Sequence, residues 1–317
     1  MKLKILVTGG AGFIGGHVAL YLADKGFHVT VLDNFERSSD YIINRLKEFN
    51  NIDIVREDLR YSDRIKDLLK NFDIIVHAAA YIDVEESMKD PWSYIHNNYY
   101  TTKNITDHLN KRQKIIYLSS AAVYGEPEKI PLKEDDEKRP ISPYGLSKLL
   151  GEKTIVYNSI CRGYRYVIFR LFNVYGIGQN RSYAGVITIF IDRVIKGLPP
   201  IIYGDGLNIR DFIHVEDVAE AVYMAVERED FSGIYNLGSG TGVIIKDLAQ
   251  MIIDISGRKD LKPIYTRPRP GDIRFSVADI TRISEKLRFK PRKDLYEGLK
   301  DLYYHVRKTY IDQNSRP

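Results

Sequence analysis

Residues 8–15 read Thr-Gly-Gly-Ala-Gly-Phe-Ile-Gly, directly after a short apolar run, Lys4–Thr8, and at the start of a segment of helical spacing, Phe13–Lys25. A chain that concentrates glycine where a strand meets a helix is committed to a sharp turn. It also bares backbone N–H groups at the positive end of that helix, where a pyrophosphate can approach. Gly10, Gly12 and Gly15 supply a G-x-G-x-x-G pattern, and Gly9, Gly12 and Gly15 a G-x-x-G-x-x-G spacing, with Phe13 and Ile14 inside the motif. At the first strand–helix junction of a parallel α/β sheet, such a pattern holds a dinucleotide. Asp33 ends the next apolar run, 18 residues past Gly15. Its carboxylate can accept bonds from both adenosine ribose hydroxyls and repels a 2′-phosphate, which predicts NAD in preference to NADP. Arg37, four residues on, is the side chain that could instead receive a phosphate.

The same alternation continues through the first half. Short β-branched runs (Lys4–Thr8, His28–Asp33, Ile52–Arg56, Asp73–His77, Lys114–Ser119, Tyr166–Phe172) are separated by helical segments at Phe13–Lys25, Asp40–Phe49, Ser62–Lys70, Pro91–Lys111 and Tyr144–Cys161. Ser62, Asp90 before Pro91 and Ser142 before Pro143 mark helix starts. This pattern predicts an α/β, Rossmann-type, doubly wound parallel sheet. After Phe172 the rhythm changes: helices are expected near Val186–Lys196, Glu216–Glu229, Lys246–Ser256, Ile280–Leu287 and Leu295–Thr309, and strands at Ile201–Tyr203 and Ile234–Leu237. A chain of 317 residues suits about two compact domains. The second is read as smaller, C-terminal and discontinuous.

Composition narrows the function classes. The net charge of +5 is spread among 42 acidic residues rather than clustered, which argues against a nucleic-acid partner. A single cysteine, Cys161, excludes a disulfide framework and a multi-cysteine metal site, and no metal is expected. Glycines interrupt the apolar run after the first lysines, no cleavage site follows, and no stretch approaches eighteen apolar residues. The chain is therefore read as soluble and cytoplasmic, with no membrane partner.

Tyr144 and Lys148 lie four apart on one helix face, just after Pro143. A tyrosine is a poor base near neutrality unless a positive neighbour stabilises its phenolate; an ammonium and the oxidised nicotinamide can both do so. Ser119 and Ser120 end a strand 24 residues upstream of Tyr144, and a parallel sheet delivers them to the same crevice.

With these residues in view, the chain resembles the extended short-chain dehydrogenases/reductases, and within them the UDP-glucose 4-epimerases and related nucleotide-sugar epimerases. The likeness rests on TGGAGFIG (8–15), Asp58-Leu59, HAAA (77–80), SSAAVYG (119–125), YGLSK (144–148), RLFNVYG (170–176), YAGVI (183–187), YGDGLNIRDFIHVEDV (203–218) and RPGD (269–272). It implies that Ser120, Tyr144 and Lys148 are catalytic. It implies that Asn34, like Asp33, meets the cofactor, that Asp58 and Leu59 flank the adenine, and that Ala78, Ala79 and Ala80 line the dinucleotide. Asn97, Ser119, Tyr144, Lys148 and Phe172 would complete the cofactor site. Asn173 would lie near the sugar or its diphosphate, Tyr203 near the uracil, Arg210 and Arg269 on the two phosphates, and Asp272 on the nucleoside ribose. Ser120 and Tyr144 would also touch the substrate. Residues 1–173 with 214–238 would form the NAD domain, and 174–213 with 239–317 the nucleotide-sugar domain. Three positions depart from the family pattern: Ile82 replaces a common lysine, Thr101 a common glycine, and residues 34–39 are not the usual short loop.

The implied reaction is NAD-dependent C4 epimerisation of a UDP-hexose through a 4-keto intermediate. UDP-glucuronate epimerisation, 4,6-dehydration, decarboxylation, 4-keto reduction and a non-catalytic dinucleotide scaffold are the alternatives. Related dehydratases carry an Asp-Glu pair where this chain has Ala121 and Ala122, which favours epimerisation. Ser276, seven past Arg269, is expected to leave room for a 2-acetamido group. A homodimer through the helices near 91–111 and 144–161 is implied by the family. His77, Asp211, His214 and Asp217 are expected to be structural.

Overall fold

The computed structural model describes residues 3–180, 185–269 and 272–314. Tyr183 and Ala184 of one motif, and Pro270 and Gly271 of another, lie outside the described residues.

Seven parallel strands form the main sheet: β1 (Lys4–Thr8), β2 (His28–Asp33), β3 (Ile52–Arg56), β4 (Ile74–His77), β5 (Lys114–Ser120), β6 (Arg165–Leu171) and β10 (Gly233–Leu237). Their order is β3-β2-β1-β4-β5-β6-β10. Apolar residues fill both faces of the central strands because helices cover both. On one face α1 (Phe13–Asp24), α2 (Asp40–Leu46) and α8 (Val215–Glu227) pack over Val7, Val31 and Val167. On the other, α3 (Ser62–Leu69), α5 (Pro91–Thr106) and α6 (Pro143–Arg162) pack over Leu6, Ile75 and Tyr117. Asp90 and Ser142 accept from the N–H groups of Ser93 and Gly145, each with proline in the first turn, so α5 and α6 begin where their caps predict. α5 stops at Thr106, short of the expected Lys111. Asn110 and Gln113 bond to each other there, and the Gln113 amide is donated to Leu69 O and Phe72 O, which turns the chain into β5.

The chain after β6 adds a second unit. β9 (Ile209–His214) is paired by β7 (Asn173–Tyr175), β11 (Gly242–Ile244) and β13 (Phe275–Ser276), while β8 (Ile201–Tyr203) pairs with β12 (Ile264–Thr266). α7 (Val186–Ile195), α9 (Ile245–Ser256) and α11 (Leu295–Asn314) enclose a core of Phe190, Ile202, Phe212, Ile252 and Leu302. α10 (Thr281–Leu287) instead sends Ile283 and Leu287 into the core of the main sheet. The short helix α4 (Val84–Lys89) after β4 has no counterpart among the expected elements. Among the described residues no helix is long and apolar enough to cross a membrane.

In this strand order the chain crosses from β3 back over to β4, on the other side of β1. The carboxyl ends of β1 and β4 thus bracket the crevice in which α/β sheets bind ligands.

Candidate active site

A cleft of about 1070 Å³ runs along those carboxyl ends, with the glycine turn at one end and the second unit at the other. At the turn, Gly9 takes φ +67°, and a Cβ there would lie 2.6 Å from Ala79 Cα. A Cβ on Gly15 would lie 2.4 Å from Gly9 O. Glycine is therefore a steric necessity at both positions. Gly12 caps α1 without any side-chain acceptor, so the first-turn N–H groups border the cleft uncapped by protein side chains. A turn of this kind has the geometry that holding a pyrophosphate requires.

Asp33 ends β2 beside the turn. Its Oδ2 accepts from Ala11 N at 3.0 Å and its Oδ1 from Phe35 N at 2.8 Å. Burial pushes its carboxyl above the ordinary value, and these backbone donors oppose the rise. Asn34 donates to Asp58 at 3.3 Å, and Asp58 is held by Arg60. Leu59, Ala78, Ala79, Ala80, Asn97 and Phe172 border the same cleft. Arg37, the candidate for a 2′-phosphate, has its guanidinium fork on Glu86, with both bonds at 2.8 Å.

At the centre of the cleft, α6 presents Tyr144 and Lys148 beneath the end of β5. Tyr144 is buried, which raises its phenol pKa, while the neighbouring Ser120 hydroxyl opposes the rise. Lys148, 3% exposed, donates to Leu118 O at 2.8 Å, and its Nζ lies 4.9 Å from the Tyr117 ring centre. Burial pulls its pKa down to about 7, with the charge of Glu152 opposing. The three expected catalytic residues meet here. Ser119 also borders the cleft, but its hydroxyl is donated to Glu152 at 2.6 Å, inside the buried Glu152–Arg170 pair. Ala121 and Ala122 directly follow Ser120 and border the same space.

The far end is built by the second unit. Asn173 donates to Asp211 O at 2.9 Å, and the Arg269 guanidinium stacks 3.7 Å from the Tyr203 ring centre. Arg210 and Asp272, expected on different parts of the nucleotide, are paired with each other. Asp272 also accepts from Asn208 at 2.8 Å, and Arg210 is donated to Ile209 O at 3.0 Å. Burial lowers the Arg210 pKa and Asp272 raises it, which leaves the guanidinium charged near neutrality. Ser276, 2% exposed, sits beside Arg210 in the β13–β9 register and borders the cleft.

Several lining residues were not foreseen. Tyr81 directly follows the Ala78–Ala80 run, Arg267 stands two before Arg269, and Asn208 stands two before Arg210; all three border the cleft. Spacing from the expected residues is the signal that could have found them. His77 is fully buried, with its ring nitrogens against Thr8 and Thr102, and burial drops its pKa to about 3. His214 caps α8, Asp211 accepts from Ser239, Gly240 and Ala278, and Asp217 accepts from Arg292 N and Lys293 N. All four serve the fold. Among the described residues no group of three or more His, Cys, Asp or Glu side chains could hold a metal ion.

The profile of the NAD dependent epimerase/dehydratase family matches residues 5–238. A Methanocaldococcus jannaschii protein provisionally named a UDP-glucose 4-epimerase is 40% identical over 300 residues, covering 93% of this chain and 96% of its own. The crystal structure of UDP-glucose 4-epimerase with UDP-glucose from Thermotoga maritima superposes with a TM-score of 0.90 at 33% identity, over 97% of this chain and 100% of that one. A UDP-N-acetylglucosamine 4-epimerase from Methanobrevibacter ruminantium, in complex with UDP-N-acetylmuramic acid, gives 0.89 at 36% identity, over 99% and 100%.

Proposed function

From the premise that the chain belongs to the NAD-dependent epimerase/dehydratase family, we propose that it inverts C4 of a UDP-hexose through a transient 4-keto sugar. One observation carries the reading: a single cleft joins the glycine turn and Asp33, the Ser120–Tyr144–Lys148 centre, and the Arg210, Arg269 and Tyr203 end. NAD, when bound, supplies the group that takes hydride from C4 and gives it back. Tyr144 removes the proton from the C4 hydroxyl and later returns it, while Ser120 steadies the phenolate. Lys148, which borders the same space, favours the phenolate when protonated. Arg269 and Arg210 grip the diphosphate, and Tyr203 takes the uracil face. Tethered there, the keto sugar turns its other face before reduction. Loss of the C6 hydroxyl needs an acid and a base at Ala121 and Ala122, and methyl groups supply neither.

Incubation with UDP-glucose, UDP-N-acetylglucosamine and UDP-glucuronate separately tests the reading. C4 epimers form from at least one; none from any contradicts it. Ser276 leaves space beside the sugar, so the N-acetyl substrate is turned over, and Ser276→Tyr suppresses that use by about tenfold or more relative to UDP-glucose, the scale of a clash in a packed pocket. Unchanged preference in that variant removes Ser276 from the account.

NAD stays bound through turnover and is preferred over NADP because Asp33 opposes a 2′-phosphate. Measured dissociation constants favour NAD in the wild type, and the gap narrows by about tenfold or more in Asp33→Ala, the scale of one close charge. Equal wild-type affinities contradict this.

The cofactor half is assigned to 1–173 with 214–238, and the nucleotide-sugar half to 174–213 with 239–317. The packing of Ile283 and Leu287 ties the latter back to the main sheet. A homodimer is proposed through α5 and α6, where Trp92 (77%), Ile160 (75%) and Tyr157 (65%) are exposed. So many large apolar groups on one helix pair suit burial by a second copy. Sedimentation of a monomer at micromolar concentration contradicts it. A lone cysteine and a nucleotide-sugar substrate suit the cytoplasm.

A further inference from the structure

Two of the three departures from the family pattern, the 34–39 loop and the stretch containing Ile82, belong to loops that are bonded to each other. Phe35 takes φ +64°, fixed by its N–H on Asp33, and the loop then turns toward the end of β4. Arg37 donates Nη1 and Nη2 to the two carboxylate oxygens of Glu86, and its guanidinium lies 3.7 Å from the Tyr81 ring centre. Glu36 accepts from the Tyr81 hydroxyl at 2.6 Å. Tyr94 donates to Glu86 at 2.7 Å and accepts from Asp83 N at 3.1 Å. The Tyr94 ring stands edge-on to Tyr81 and to catalytic Tyr144.

The sheet order gives these bonds their meaning. β2 and β4 flank β1 on either side, and the end of β1 becomes the glycine turn. A bond between the β2 and β4 loops therefore crosses over that turn. Glu36, Arg37 and Tyr81 line the cleft together with Gly12, Asp33 and Ala79.

We propose that the Arg37–Glu86 pair and the Tyr81–Glu36 bond form a clasp over the dinucleotide groove that slows NAD release. The clasp rests on the retained-cofactor reading above and supplies its physical means. Its members are positioning residues: they touch the walls around the cofactor and not the reacting carbon. A lone, partly exposed ion pair is weak, but a bidentate fork stacked on the Tyr81 ring and joined to the Tyr94 hydroxyl, beside the Tyr81–Glu36 bond, must open as a unit. An epimerase has no net redox change and so has no need to exchange its cofactor each cycle. A clasp therefore costs it no turnover.

The test uses holoenzyme loaded with radiolabelled NAD and chased with unlabelled NAD, with release followed by filtration. Glu86→Ala should release NAD about tenfold faster or more, since a cooperative set of charged bonds is lost. Tyr81→Phe and Arg37→Lys should give smaller accelerations in the same direction. The double exchange Arg37→Glu with Glu86→Arg should recover slow release. Far-ultraviolet circular dichroism checks folding, and if Glu86→Ala does not fold, Tyr81→Phe and Arg37→Lys decide. Release from the folded variants within about threefold of wild type overturns the clasp. Rapid release from the wild type itself counts against retention, whereas the ratio of variant to wild type reads the clasp alone.

Discussion

Tyr144→Phe is expected to lower kcat by about two to four orders of magnitude, the usual scale for removing a general acid–base group. Substrate affinity should change little, because the phenol oxygen is one contact beside those proposed for Asn173, Tyr203, Arg210 and Arg269. The phenol is buried and its pKa raised, and the neighbouring Ser120 hydroxyl opposes the rise. Ser120→Ala should therefore also lower kcat, by less, and move the acidic limb of the pH profile to higher pH, since the phenolate loses a neighbour that favours it. Stopped assays of product against time at saturating substrate check both. A Tyr144→Phe enzyme keeping more than about a tenth of wild-type turnover contradicts the assignment.

Lys148→Met is expected to abolish most activity and yet to stabilise the cofactor-free protein at low pH. The ammonium is buried, and its folded pKa falls from 10.5 to about 7. Between those values the unfolded chain binds more protons than the folded one, so folding stability rises with pH across the window. Below about pH 7 both states are protonated and the full penalty is present, on the order of 4 kcal/mol. The lost bond to Leu118 O offsets about 1 kcal/mol at any pH. The variant should therefore melt several degrees higher than wild type at pH 6 and show no advantage near pH 10. Thermal melts of apo protein at the two pH values measure the difference, and an advantage that grows with pH contradicts the account. The arrangement is a stability cost accepted for a charge beneath the reacting oxygen.

Much of this was legible in the chain. Strands such as Lys4–Thr8 and His28–Asp33 are apolar, β-branched and buried by helices, and they fall where periodicity placed them. The glycine turn and Tyr144–Lys148 were readable because their chemistry is local, set by spacings of a few residues. β9 was not readable, because Arg210 and Asp211 interrupt an otherwise apolar run. Both are buried through partners outside the strand, Asp272 and Ser239. The same limit hid the clasp, whose Arg37 and Glu86 are 49 residues apart, and the Arg210–Asp272 pair, 62 apart. Such pairings are created by strand order and leave no periodic trace.

The central claim is that hydride leaves and returns to the same carbon, with nothing else lost. The UDP-hexose turned over in the assays above, carrying deuterium at C4, tests it most directly, by mass spectrometry and proton NMR of the product. The account predicts its C4 epimer, of unchanged mass and with deuterium retained at C4. A product about 18 mass units lighter, the loss of one water by the acid–base route excluded here, or an epimer that has lost its deuterium, contradicts it.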